Sequence, residues 1–72
     1  MTQRELLAIA RKEKPGVRYA ASKDGNAIGG WDDRLGRFVM VASKTITGEW
    51  LSCPYELLIN GEPPYQPSDW QE

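Results

Sequence analysis

Between Gly29 and Met40 the chain reads GGWDDRLGRFVM, and the turn at its centre constrains the fold more than any other stretch. Asp33-Arg34-Leu35-Gly36 fits a type I turn, with Asp at the first position and Gly at the last. Gly36 then takes the left-handed conformation that such hairpin connections need. With the turn over residues 33–36, the flanking strands pair in one register. Asp32 faces Arg37, Trp31 faces Phe38, Gly30 faces Val39 and Gly29 faces Met40. The first is an opposite-charge pair and the second an aromatic pair, each contributing roughly 0.2–1 kcal/mol. The two glycines leave space beside large residues, for the helix to approach or the sheet to bend. Trp31 and Phe38 are then the natural core residues of so small a chain.

Two features of this stretch resemble catalytic or binding motifs without meeting their requirements. Asp32 and Asp33 are adjacent, so in a strand they point to opposite faces and cannot act as one acid–base pair. A phosphate-cradling glycine loop needs G-x-G-x-x-G or G-x-x-x-x-G-K-[ST] opening a helix. Here the spacing differs and a strand follows. The stretch is a structural hairpin, with Arg34 and Leu35 at its tip available for contacts.

The N-terminal residues predict a helix. Thr2 is a good N-cap and Glu5 completes the capping box. Leu6, Ile9 and Ala10 make one apolar face, flanked by Leu7, while Arg4, Ala8 and Arg11 lie opposite. Arg11, Lys12 and Lys14 sit in the last turn, where they complement the helix dipole, and Pro15-Gly16 ends the helix. Val17–Ser22 alternates as a strand, and the Asp-Gly pair in KDGN turns the chain into a second strand, Ala27–Asp32. Arg37–Ser43 is the third strand, KTITGE a turn, and Glu49–Cys53 a fourth strand that Pro54 interrupts. YELLI fits either a short helix or a fifth strand. Asn60-Gly61 makes another turn, and EPPYQPSDWQE follows as a proline-rich acidic tail. The expected architecture is α+β: an N-terminal helix, then an antiparallel β-meander of three to five strands, in its specific version an SH3-like partial barrel. Residues 1–60 form the expected single domain and 61–72 the tail.

Only Cys53 is present among 72 residues, and there is no histidine. No internal disulfide can form, and neither a zinc set nor a thiol–imidazole pair is available. No metal, no cofactor and no enzymatic activity are expected, and Cys53 is expected as a buried, inert thiol. A core of this size supplies only about 3–5 kcal/mol, which leaves function to the surface. Packing without disulfides suits a reducing cytoplasm. No apolar run approaches the ~20 residues a membrane span requires.

Charge divides along the chain. All nine cationic side chains lie before Thr45, against five carboxylates, a net +4. The remainder carries five carboxylates and no cation. Either the acidic part neutralises the basic part within the molecule, or one of them meets a charged partner. Strand Phe38-Val39-Met40-Val41 is apolar on both faces, and one short helix covers only one. The other is closed by the chain after Pro54 or left as an interaction patch. Tyr65 and Trp70 pose the same choice: folding back over the sheet, or docking on a basic partner.

Protein contacts favour Trp, Tyr and Arg. The candidate interface residues are Arg34 and Arg37 at the hairpin, Trp50 and Tyr55 around the last strand, and Tyr65 and Trp70 in the tail. A single-stranded nucleic-acid binder is the alternative, because Tyr19, Trp31 and Phe38 interleave with Arg18, Lys23, Arg34 and Arg37. An isoelectric point near 5.4 weighs against it. In size and organisation, MTQRELLAIARKEKPG leading into DDRLGRFVMV resembles the small host-takeover proteins of bacteriophages, the RNA-polymerase-binding transcription inhibitor and antiterminator of a Xanthomonas phage among them. The resemblance implies a non-enzymatic regulator in the host cytoplasm, a monomer or weak oligomer, that binds host machinery such as RNA polymerase and modulates transcription.

Overall fold

Helix α1 spans Gln3–Glu13 and begins at the predicted cap: the Thr2 side chain accepts from the Glu5 amide while the Glu5 carboxylate reaches back to the Thr2 amide. The Lys14 N–H closes the last turn on the Ala10 carbonyl. The computed structural model describes residues 1–53, 58 and 60–72. Strands follow as β1 (Tyr19–Ser22), β2 (Ala27–Asp32), β3 (Arg37–Lys44), β4 (Trp50–Ser52) and β5 (Trp70–Gln71), with a one-turn 3-10 helix at Pro67–Asp69 before β5. All pairings are antiparallel, in the order β4-β3-β2-β1-β5. This is the α+β architecture the sequence implies, a helix followed by a five-stranded antiparallel sheet that is not closed. The two ends of the strand order are formed by short strands, of three and two residues, which do not pair with each other.

The β2–β3 hairpin carries the register read from its turn, from Asp32↔Arg37 to Gly29↔Met40. Gly36 has φ 67° and its N–H bonds the Asp32 carbonyl at 2.8 Å. Beyond Gly29 the register shifts, because Ile28 pairs with Ala42 and leaves Val41 as an extra residue in β3. This bulge explains how one strand supplies both Val41 and Ala42 to the hollow beneath the helix. The KTITGE segment turns back through bonds from the Thr45 N–H to Glu49 and from the Gly48 N–H to Thr45, with Gly48 at φ 89°. Asn60 and Gly61 both adopt positive φ, as an Asn-Gly turn requires. The YELLI segment falls largely outside the described residues, as does Tyr55.

The two faces of the sheet are closed differently. One buried cluster lies on the face away from the helix, where Ala20, Ala27, Met40 and Trp70 are buried and Phe38, Cys53 and Tyr65 pack against them. Ile28, the largest fully buried side chain among the described residues, is covered on the other face near Leu6 and Ala10. Trp70 arrives with β5, which pairs with β1 at Ser22. Its ring lies flat over Gly29: a Cβ there would sit 3.0 Å from two of the ring carbons. Gly29 therefore makes room for the indole. Of the two possibilities left by the sequence for Tyr65 and Trp70, the folded-back one is the structure. Residues 67–71 belong to the fold rather than to a separable tail.

On the other face α1 packs mainly on β1 and less on β2. Leu6, Leu7 and Ala10 turn inward, while Ile9 is 40% exposed. Leu7 thus replaces Ile9 on the packed face. The spacing of Gln3, Leu6, Leu7 and Ala10 is equally helical, and Gln3 decides between the two. Its side-chain amide donates to the carbonyls of Ser22 (3.0 Å) and Ala27 (2.8 Å), fixing the helix rotation against the β1–β2 turn.

Candidate interaction surface

The hairpin tip is built by backbone capping. The Asp32 carboxylate accepts the Arg34 and Leu35 amides at 2.8 and 3.2 Å, and Asp33 accepts the Trp31 indole N–H at 2.9 Å. The adjacent aspartates thus serve separate local bonds, as their opposite directions predict. Arg34 and Leu35 are left exposed at the tip.

Next to this tip the helix face of the sheet is open. A hollow of about 490 Å³ is lined by the aliphatic Val17, Val39 and Val41 around Gly30, by the aromatic Tyr19 and Trp31, and by the charged Lys14, Asp32, Asp33 and Arg34. The side chains of Val41, Tyr19 and Val17 converge on Gly30, within 3.3–3.8 Å of where a Cβ would lie. Val17 is 39% exposed and belongs to the loop before β1, not to the strand as expected. Lys14, Tyr19 and Val41 also line a second hollow of about 230 Å³ beneath Leu6 and Ala10. Together the two form a groove from the underside of α1 to the β2–β3 hairpin.

Trp31 is not a core residue. It is half-buried, meets Phe38 edge-on at 5.1 Å, and is capped by the Arg18 guanidinium 4.6 Å above its ring. The same guanidinium lies 5.4 Å from the Phe38 centroid. Arg18 also holds the Glu72 carboxylate through two donors, Nε and one terminal nitrogen. Each charge favours the ionised form of the other: the hydrogen bond lowers the Glu72 pKa and raises that of Arg18. Arg11 acts on the same carboxylate, so at Glu72 the acidic second half meets two cations of the basic first half.

The chain after Pro54 is strapped to the β1–β2 turn. The Tyr65 hydroxyl donates to the Asp24 carboxylate at 2.8 Å, and the Ser22 hydroxyl donates to the other oxygen at 2.6 Å. Partial burial pushes the Asp24 pKa up, but bonds from Ser22, Asn26 and Tyr65 outweigh it and leave the value lowered. Burial and the Asp24 bond both push the Tyr65 phenol up. Tyr65 and Trp70 rings stand 4.9 Å apart.

The five candidate interface residues among the described ones therefore do not make one surface, and Tyr55 lies outside the described residues. Arg34 edges the groove, and Arg37 is half-buried opposite Asp32 on the same hairpin. Trp50 lies at the far corner, its indole N–H bonded to the Met1 carbonyl at 2.9 Å. Tyr65 and Trp70 are on the opposite face, and Trp70 at 9% exposure is core, not contact surface. Val39 and Val41 belong to the strand whose sequence is apolar on both faces; the sequence does not say that the open part lies on the helix's own face, nor that Val17 joins it. Cys53 is half-buried, with Ser43 Oγ 3.4 Å from its sulfur. Among the described residues, no group of His, Cys, Asp and Glu is arranged to hold a metal, and no helix is long and apolar enough to cross a membrane. Comparison with protein-family models, curated proteins and solved structures finds no match for this chain.

Proposed function

We propose that this chain is a protein-binding regulator that acts by occupying a surface of a larger cytoplasmic machine, without chemistry of its own. The observation that carries this is the open end of the helix face. Val17, Val39 and Val41 remain accessible beside Arg34 in a chain too small to leave apolar surface uncovered without consequence. An arginine at the rim of an apolar floor is the composition from which protein hot spots are made. The phage takeover proteins it resembles make bacterial RNA polymerase the first partner to test.

Purified polymerase passed over the immobilised full chain tests this directly, with a transcription assay beside it. Retention near one-to-one and a changed transcript yield are expected, both lost in Arg34→Glu while its thermal unfolding is unchanged. Polymerase that neither binds nor responds removes that partner. If lysate then also yields no stoichiometric protein sensitive to Arg34→Glu, the binding role falls as well.

The single-stranded nucleic-acid alternative needs Trp31 and Phe38 as a stacking platform. Arg18, held by Glu72, covers both rings, and stacking a base there requires displacing it. Oligonucleotide binding that falls steeply with salt would revive that alternative.

A further inference from the structure

We infer that the place Glu72 occupies on Arg18 is a phosphate-monoester site, filled by the chain's own carboxylate until a ligand displaces it. The site goes beyond the protein-binding role and belongs to a different part of the molecule. Arg18 is aimed before any anion arrives. Its backbone carbonyl accepts the Trp31 N–H at 2.9 Å, and its guanidinium lies 4.6 Å from the Trp31 ring and 5.4 Å from that of Phe38. The two rings meet edge-on, and Asp33 holds the Trp31 indole N–H. Backed in this way, the guanidinium turns Nε and one terminal nitrogen to the Glu72 carboxylate. That is the two-donor fork with which arginine takes carboxylate and phosphate oxygens alike. A second cation faces the same position. After the Arg18 bond, the charge of Arg11 on the last turn of α1 further lowers the Glu72 pKa. Asp33 also acts on Arg18, but its carboxylate is engaged with the indole. With Glu72 away, two arginines face Asp33 alone, and the position is cationic. Glu72 is also easy to move. The two side chains are 53% and 51% exposed, and an ion pair in solvent is weak. Glu72 lies just outside β5, so it can swing away while Trp70 keeps its pairing with Ser22. A phosphate dianion brings about twice the charge and three acceptor oxygens to the same arginines.

The test is a titration of the full chain with inorganic phosphate, followed through the Arg18 Nε–H and Trp31 indole N–H resonances, with chloride at matched ionic strength as the control. O-phosphoserine and adenosine monophosphate run beside it to separate a protein source of the phosphate from a nucleotide one. Phosphate is expected to move both resonances, and chloride is not. Glu72→Gln should bind phosphate about tenfold more tightly than the native chain, because the competing carboxylate is gone. Arg18→Lys keeps the charge but loses the fork, and should bind about tenfold more weakly. Tighter binding of O-phosphoserine than of the nucleotide assigns the site to a phosphorylated protein, and the reverse order to a nucleotide; either keeps the site. Equal affinity of the native chain and Glu72→Gln, equal shifts with chloride, or no shift in Glu72→Gln each overturns the inference. So does an Arg18→Lys variant that binds as well as the native chain. Should Arg18→Lys fail to fold, the Glu72→Gln comparison decides alone. The protein-binding role stands or falls separately, on Arg34→Glu.

Discussion

Gly29 and Gly30 are neighbours on one strand, yet they look onto opposite faces of the sheet that are finished in opposite ways. Gly29 lies beneath an indole that presses flat on it, and Gly30 floors an open groove. On the first face burial comes from Trp70, brought back by residues far along the chain. On the second it comes from an eleven-residue helix that covers mainly β1 and stops short of the hairpin. The distant segment closes its face and the local one does not. The first face is closed by a buried indole, whereas the second is closed only around Ile28 beneath the helix and keeps open surface beside the hairpin.

The largest effect should come from removing the closure. Trp70→Ala deletes a buried aromatic, a change that costs about 3–5 kcal/mol. That equals the whole stability expected of such a core, so the variant should be unfolded at room temperature by circular dichroism. Val39→Ala on the open face should still fold.

The glycines sharpen the contrast. Gly29→Ala forces a methyl against the Trp70 ring at 3.0 Å and should cost about 1–3 kcal/mol in urea unfolding. Gly30→Ala meets a Val41 methyl at 3.3 Å, with Tyr19 and Val17 in ordinary contact at 3.8 Å, and should change stability by less than about 1 kcal/mol. Equal costs would mean that the two faces are packed alike.

Smaller still is the pH response of the strap between Tyr65 and the β1–β2 turn. The folded Asp24 pKa is lowered, so its bonds add stability above the unfolded value of about 3.9, and this is lost as pH falls through the folded one. The folded Tyr65 pKa is raised, so its contribution is complete below about pH 10 and disappears as pH rises through the higher folded value. Unfolding temperature should sag at both extremes. Asp24→Asn should remove much of the acid limb and Tyr65→Phe the alkaline one. Both groups are mostly solvated, which holds each effect to a fraction of about 1 kcal/mol. Least of all, Arg34→Glu should leave stability within about 0.5 kcal/mol while abolishing partner capture.

What the sequence revealed was local. The capping box, the turn glycines and the hairpin register each depend on residues a few positions apart, and each is where the pattern put it. What it concealed was long-range. Trp31 resembles core until the structure shows that the core indole is Trp70 and that Arg18, paired with Glu72, caps Trp31 instead. Leu7 and Ile9 fit a helical face equally well, and the decision rests with Gln3 reaching Ser22 and Ala27. The groove was hidden for the same reason: an apolar strand does not say which of its faces is left uncovered.

The antiparallel pairing of β5 with β1 also sets the order in which the molecule can be made. β1, β2 and β3 leave the ribosome well before Trp70, so the face bearing Ala20 and Met40 waits uncovered while some thirty residues after Met40 are added. Domains in general fold from the N-terminal side as they are synthesised. This one withholds its keystone until late, and the nascent hairpin must stay soluble in the meantime on its charged turn and on the helix already in place.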